Sequence, residues 1–336
     1  MAGLPTLVPA RERHRYEALF VLEHLLGGHR FTRYFGAARE SLRRQLAEVL
    51  ASQPRDVRLP VPEVEFTNHA EFLRRYRPPC LPVVFRGLAR DWQACREWSL
   101  DYFGEHYGST PAVMVEQPGL AGPNEVGRFE VTTVGRIVDD IRAGLTTYLR
   151  FSPLMAENPE LLEAFDVEWL RAFRPRLSLR EAPQFFLGPA STYTPLHCAL
   201  TVNLFVQVSG RKRWILYPAK QQALVEPVCD RRPYFHSSFH PERSAPGFDL
   251  APFATAYEVT LEPGDVLYNP PLVWHTVENL TPTISVGYRF YDLRQGWRSS
   301  WLMTLLTFLA PRPSLVQSLY YSITKTNFLH RPPTDM

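Results

Sequence analysis

The chain is poor in cysteine, in long apolar runs and in net charge. Its 336 residues include only 4 cysteines, Cys80, Cys95, Cys198 and Cys229, which form no CxxC pair and no zinc-type spacing. No stretch reaches the roughly 18 consecutive apolar residues of a membrane span. The nearest, "SSWLMTLLTFLAP", is short and broken by threonines, so no membrane partner is expected. The first residues, "MAGLPTLVPARERHRYEALF", lack the apolar core of a secretory signal, and a reducing, cytoplasmic location is the expectation. Net charge is +3, from 37 basic and 34 acidic residues. There is no dense Lys/Arg run with interleaved aromatics, so nucleic acid is not an expected partner. No GxSxG elbow is present, and the segment order does not suit a Ser/His/Asp hydrolase.

What is present describes a globular chain: 45% hydrophobic and 21% charged residues. With 31 prolines and 13% aromatics it suits a loop-rich β-fold around a deep pocket. Residues 10–52 carry helical periodicity in two amphipathic pieces, "YEALFVLEHLL" and "ARESLRRQLAEVLAS". Prolines in "QPRDVRLPVPEVEF" then end the helix. Thr67 or Asn68 caps a short helix that leads into a strand at Leu81–Phe85. Ser99 caps another, which Gly108 ends before a strand at Ala112–Glu116. A helix near 133–143 precedes the strand "TTYLRFSP". From about 184 the pattern is β: "QFFLGP", "LTVNLFVQVSG", "KRWILYPA", "AYEVTLEPGDVLYNP", "HTVENL" and "TISVGYRFYDL", with a hairpin turn at "VSGRKR". From 296 to about 328 it is helical again. The expected organisation is a helical N-terminal extension (1–58), one β-barrel domain (59–295) and a C-terminal helical segment (296–336).

His197 and His275 are the strongest candidates for chemistry. Each lies at a strand end in the β-rich half, and two imidazoles on facing strands of a small barrel can converge on one metal. Lys212 sits in a strand whose neighbours Trp214, Ile215 and Leu216 read as buried. Directed inward it needs an anion, because an unpaired buried charge is costly. Directed outward it would share a hairpin turn with Arg211 and Arg213, and spacing leaves both orientations open. Thr194 and Asn203 are polar residues placed to join the same anion site. His236 and His240, in the proline-rich "YFHSSFHPERSAPGF", read as solvent-facing loop histidines.

From roughly Leu59 to Leu293 the chain resembles a JmjC-like cupin of the iron(II)/2-oxoglutarate oxygenase superfamily, the group containing the factor-inhibiting asparaginyl hydroxylase. The resemblance rests on "LPVVFRGLARDW" with "WSLDYFGEHYG", on "FFLGPASTYTPLH", on "NLFVQVSGRKRWILYPAKQ" and on "LEPGDVLYNPPLVWHTVENL". It implies an all-β core: a double-stranded β-helix, or jelly-roll barrel, of eight strands, with flanking helices and a metal at one mouth. It also implies that His197 and His275 bind iron(II) and that Lys212 pairs with the far carboxylate of 2-oxoglutarate. Thr194, Asn203 and Tyr148 would support that cosubstrate. Two positions depart from the family pattern. The Asp or Glu ligand two residues after the first histidine is Ala199, and Gly287 stands where many members carry asparagine.

Ala199 opens one coordination position and leaves the protein shell one negative charge poorer. Three readings follow. In the preferred one, chloride fills the vacancy, as in the radical halogenases this arrangement resembles, and the protein halogenates a small metabolite. In the second, a two-histidine iron site with water as third ligand hydroxylates its substrate. In the third, the barrel is an inactive binding module. Cys198 and Glu278 are poor substitutes for the lost ligand, because strand alternation turns both away from their neighbouring histidines. The expected substrate is a small or carrier-bound molecule. The apolar segment 296–328 would either pair two copies as a homodimer or cap its own barrel.

Overall fold

A computed structural model describes residues 8–116, 128–152, 154–176, 178, 181–229, 234–242, 247 and 249–310. The part of the expected C-terminal helical segment beyond Ala310 lies outside these. Within them the strands, in chain order, are β1 (Arg58–Pro60), β2 (Val83–Phe85), β3 (Pro111–Glu116), β4 (Arg128–Thr133), β5 (Thr147–Ser152), β6 (Glu181–Gly188), β7 (Tyr193–Ala199), β8 (Thr201–Ser209), β9 (Lys212–Tyr217), β10 (Tyr234–His236), β11 (Ala256–Leu261), β12 (Val266–Asn269), β13 (Trp274–Asn279) and β14 (Thr283–Tyr291).

From β6 to β9 consecutive strands alternate between two facing sheets. The larger sheet runs β2-β12-β8-β14-β6-β5-β3-β4 and the smaller β1-β11-β9-β13-β7-β10. Except for the parallel β1–β11 pair, the described strand pairs are antiparallel. Eight of the strands, β6 to β9 and β11 to β14, form the jelly-roll core that the cupin resemblance implies. The β-pattern read from residue 184 onward corresponds to this core.

Strand alternation sorts the side chains into three apolar clusters. On β8, Val202, Leu204, Val206 and Val208 face outward beneath the short helices of the 66–173 region, while Phe205 faces the barrel interior. The interior also holds Tyr148, Phe186, Trp214, Leu216, Leu267, Val273 and Val277. A third cluster covers the outer face of the smaller sheet. It joins Leu196, Cys198, Ile215 and Trp274 to Phe20, Leu42 and Leu46 of the two N-terminal helices, Ala10–Leu26 and Gly28–Leu50, and to Leu302, Met303 and Leu306 of the helix Trp301–Leu309. The helical flanks therefore share a core with the barrel.

Local chemistry explains the boundaries. Asn68 and Ser99 accept hydrogen bonds from the amides of Glu71 and Tyr102, as their cap positions predict. The β8–β9 hairpin turns at Gly210, whose φ of +71° suits glycine and where a Cβ would lie 1.9 Å from the Pro282 carbonyl oxygen. No described helix is long and apolar enough to cross a membrane.

Candidate active site

His197 on β7 and His275 on β13 are direct register partners in the smaller sheet. Opposed residues of an antiparallel pair project to the same face, and the two imidazole centroids lie 4.2 Å apart. Each ring is held by a backbone carbonyl, and His275 Nδ1 also lies 3.3 Å from the Asn269 side-chain amide. His197 Nδ1 is 2.8 Å from the Pro195 carbonyl oxygen, and His275 Nδ1 is 2.9 Å from that of Val273. A carbonyl only accepts, so both Nδ1 atoms carry the proton and both Nε2 atoms present a lone pair. His197 Nε2 is sealed from solvent and has no partner. Burial keeps the imidazoles neutral: it pushes His275 down to about 4, and it holds His197 well below its ordinary value together with the nearby His275 and arginines. Trp214 stacks on His275 at 5.2 Å and steadies its plane.

Lys212 points inward, which resolves its orientation. Its side chain is inaccessible to solvent, and Nζ has no hydrogen-bond partner. The ammonium lies among three aromatic rings, 5.1 Å from Phe205, 5.3 Å from Phe186 and 5.8 Å from Tyr148. Desolvation lowers its pKa from 10.5 to about 7. Ring faces return about 2 kcal/mol to a desolvated cation, less than the several kcal/mol of burying it. Tyr148 is itself hydrogen-bonded to Thr194 and Asn279. Lys212, Tyr148 and Thr194 thus meet in one place in the barrel interior, Lys212 and Thr194 from the sheet that carries the histidines and Tyr148 from the sheet opposite.

These residues fit the groups the resemblance implies. The orphaned Lys212 ammonium, with the Tyr148 and Thr194 hydroxyls, suits one end of a dicarboxylate. The two Nε2 atoms suit a metal.

The profile of the cupin-like domain family matches residues 69–295 of this sequence. The chain belongs to that family. Its curated relatives include the human "2-oxoglutarate and iron-dependent oxygenase JMJD4", 26% identical over 264 residues that cover 69% of this chain and 61% of that protein. They also include the human "Bifunctional peptidase and (3S)-lysyl hydroxylase JMJD7", 27% identical over 306 residues, which make up 80% of this chain and 96% of that one. A third, "Lysine-specific demethylase JMJ30" of Arabidopsis thaliana, is 31% identical over 229 residues, 65% of this chain and 51% of the relative. The chain therefore spans nearly all of the second relative but less than two thirds of the other two. These relatives bear the names of a 2-oxoglutarate and iron-dependent oxygenase, a bifunctional peptidase and lysyl hydroxylase, and a lysine-specific demethylase.

In this cupin-like barrel no described carboxylate or thiol joins the two imidazoles. Ala199 lies on the same face of β7 as His197, and among the described residues no three His, Cys, Asp or Glu side chains are grouped to hold a metal. Cys198 is turned outward into the cluster under the N-terminal helices, and Glu278 lies beside Arg213, 3.8 Å away. Both face away, as alternation predicts. One expectation needs correction. The segment containing His236 is not a loop: Tyr234–His236 forms β10, which pairs with β7 and sets His236 opposite His197 and Tyr234 opposite Ala199. Pairing with a strand 35 to 39 residues upstream holds this short segment extended despite the prolines around it. His240 packs edge-on against Tyr193 at 5.5 Å.

Gly287 also finds its explanation. A Cβ there would stand 2.8 Å from Asn203 Oδ1, so the Asn203 amide occupies the space a larger side chain at 287 would use. Both polar atoms of that amide are buried without partners, facing the interior between β8 and β14. Sequence reasoning missed the mouth of the barrel. Phe151 has φ +56°, a costly conformation for a non-glycine residue, at the irregularity in the β5–β6 pairing. Its ring stands edge-on to His197 at 5.8 Å, and Arg150 and Arg289 lie against it.

Proposed function

We propose that this protein binds iron(II) through His197 and His275, anchors 2-oxoglutarate on Lys212, Tyr148 and Thr194, and oxidises a C–H bond of a second substrate. The observation that carries this reading is the buried Lys212 ammonium, which lacks a counter-ion in a barrel where it is otherwise a liability. When bound, the pair supplies the oxidising equivalent from dioxygen, with succinate and carbon dioxide as co-products. The protein's own part is positional. The carbonyls of Pro195 and Val273 set both imidazole tautomers. The Lys212 ammonium and the Tyr148 hydroxyl fix the far carboxylate, and the Asn203 amide can bond the cosubstrate's near end. Phe186, Phe205 and Trp214 keep water away from the chamber.

Hydroxylation is the form best supported by the relatives' names, and water would then be the third ligand. Halogenation is favoured by one observation, the methyl side chain of Ala199 where a carboxylate would stand. Chloride would then complete the site. The substrate of either reaction is proposed to be a small or carrier-bound molecule, or a protein side chain as the relatives' names suggest. The exposed face of Trp297, Trp301, Leu305 and Leu309 supports a homodimer contact through the C-terminal helices.

The test is an anaerobic titration of apoprotein with iron(II) and 2-oxoglutarate, with and without chloride, following the visible charge-transfer band of the chelate. A band indifferent to chloride supports hydroxylation. A band whose position or affinity depends on chloride supports halogenation. No band under either condition overturns the oxygenase reading and leaves a binding module.

A further inference from the structure

Two guanidinium groups converge on the mouth of the barrel, and the oxygenase reading above uses neither. Arg150 lies on β5 and Arg289 on β14, strands separated by β6 in the larger sheet. Their Cζ atoms lie 5.8 Å and 5.4 Å from the centroid of the same ring, Phe151. That ring in turn meets His197 edge-on at 5.8 Å. The strained backbone at Phe151 aims the ring into the mouth, as bulges beside active sites do.

Neither arginine is balanced. Among the described residues neither ion-pairs with a carboxylate, whereas Arg171 and Arg174 in the same region share Glu181. The groups gathered around them are tyrosines, Tyr148, Tyr193 and Tyr234 near Arg150 and Tyr291 near Arg289, whose neutral hydroxyls supply no counter-charge. Arg289 Nε is sealed from solvent and has no hydrogen-bond partner. Burial lowers the pKa of both groups, Arg289 to about 10. Both side chains keep part of their surface in solvent, within reach of a ligand, and contact with one phenyl ring does not offset the cost of gathering two cations around it. An anion would satisfy both. The planar fork of arginine matches an oxyanion, with two parallel N–H···O bonds, better than a spherical ion. Both positive groups also act on His197, beside the position that Ala199 leaves without a carboxylate.

We propose that Arg150 and Arg289 form a substrate-anion site at the barrel mouth, which holds a carboxylate or phosphate group of the substrate against Phe151. The word substrate rests on the oxygenase reading; the anion site does not. It lies apart from the Lys212 anchor, so the barrel has one anionic pole for the cosubstrate and a second for the molecule to be oxidised.

The test uses the full chain and titration calorimetry in low-salt buffer, with inorganic phosphate and acetate as probes. 2-Oxoglutarate is titrated separately in the presence of metal. Wild type should bind phosphate or acetate in the millimolar range. Arg150→Gln and Arg289→Gln should each weaken that binding tenfold or more, Arg289→Lys should weaken it less, and all three should keep wild-type affinity for 2-oxoglutarate. Lys212→Met should show the reverse: probe binding unchanged and 2-oxoglutarate lost. Circular dichroism confirms folding, and a glutamine variant that does not fold is replaced in the comparison by Arg289→Lys. Absence of probe binding in wild type overturns the proposal, as does its loss in Lys212→Met. If the arginine variants lose 2-oxoglutarate, the guanidiniums serve the cosubstrate, and the proposal falls while the oxygenase reading stands. If Lys212→Met retains 2-oxoglutarate, the cosubstrate assignment fails and the arginine result is judged by itself.

Discussion

Replacing Lys212 by methionine keeps the length of the side chain and removes its charge, and should move stability and ligand binding in opposite directions. In the folded protein burial lowers the ammonium's pKa from 10.5 to about 7. In the unfolded chain it stays near its ordinary value. The folded state therefore binds fewer protons than the unfolded state between about pH 7 and 10.5, so stability rises with pH across that window. Below pH 7 the whole penalty applies, about 5 kcal/mol at roughly 1.4 kcal/mol per pH unit. Because apolar replacement of a buried charge returns only part of such a penalty, Lys212→Met should stabilise the ligand-free protein by about 1–4 kcal/mol at pH 7. It should also flatten the pH dependence above 7.

The same substitution should abolish the stabilisation that 2-oxoglutarate gives wild type. In wild type the dianion should draw a proton onto Lys212, and its affinity should fall as pH rises above 7. Denaturant unfolding between pH 6 and 10 reads the stability effects, and calorimetry in buffers of different ionisation enthalpy reads the proton uptake. The reasoning is refuted if Lys212→Met destabilises the ligand-free chain, or if wild-type stability is flat from pH 7 to 10.

The remaining predictions concern the metal end and the strand packing. His197→Ala and His275→Ala should each abolish iron(II) binding in an equilibrium titration, because a two-ligand protein site has no redundancy. Ala199→Asp should tighten iron(II) binding and remove any chloride dependence of the chelate band; halide binding that survives it would refute a halide at that position. Gly287→Asn should cost about 1–3 kcal/mol in denaturant unfolding, because its Cβ would meet the Asn203 amide at 2.8 Å. Gly210→Ala should lower the melting temperature through a loss of about 2 kcal/mol or more, since alanine is strained at φ +71° and would strike the Pro282 carbonyl.

Several features of this protein were decided by local sequence. Asn68 and Ser99 had to cap helices, because their side-chain oxygens reach amides three residues on. Alternation along β7 put His197 and Ala199 on one face and Cys198 on the other, which rules out the thiol as a ligand without reference to any other strand. The pairing of His197 with His275, and the absence of a carboxylate at position 199, were legible only through the segments that resemble JmjC-like cupins, not through alternation. What tertiary structure decided is what non-local pairing controls. Lys212 stands beside a hairpin turn, and only closure of the two sheets around Phe186, Phe205 and Tyr148 places it inside. His236 belongs to a strand only because β7 is there to pair with it. Arg150, Phe151 and Arg289 lie nearly 140 residues apart in sequence at the extremes. They meet because the β5–β6 irregularity turns one ring toward His197 while β14 brings the second guanidinium to that ring. No periodicity in the chain encodes that meeting, since it depends on which strands become neighbours and in what register.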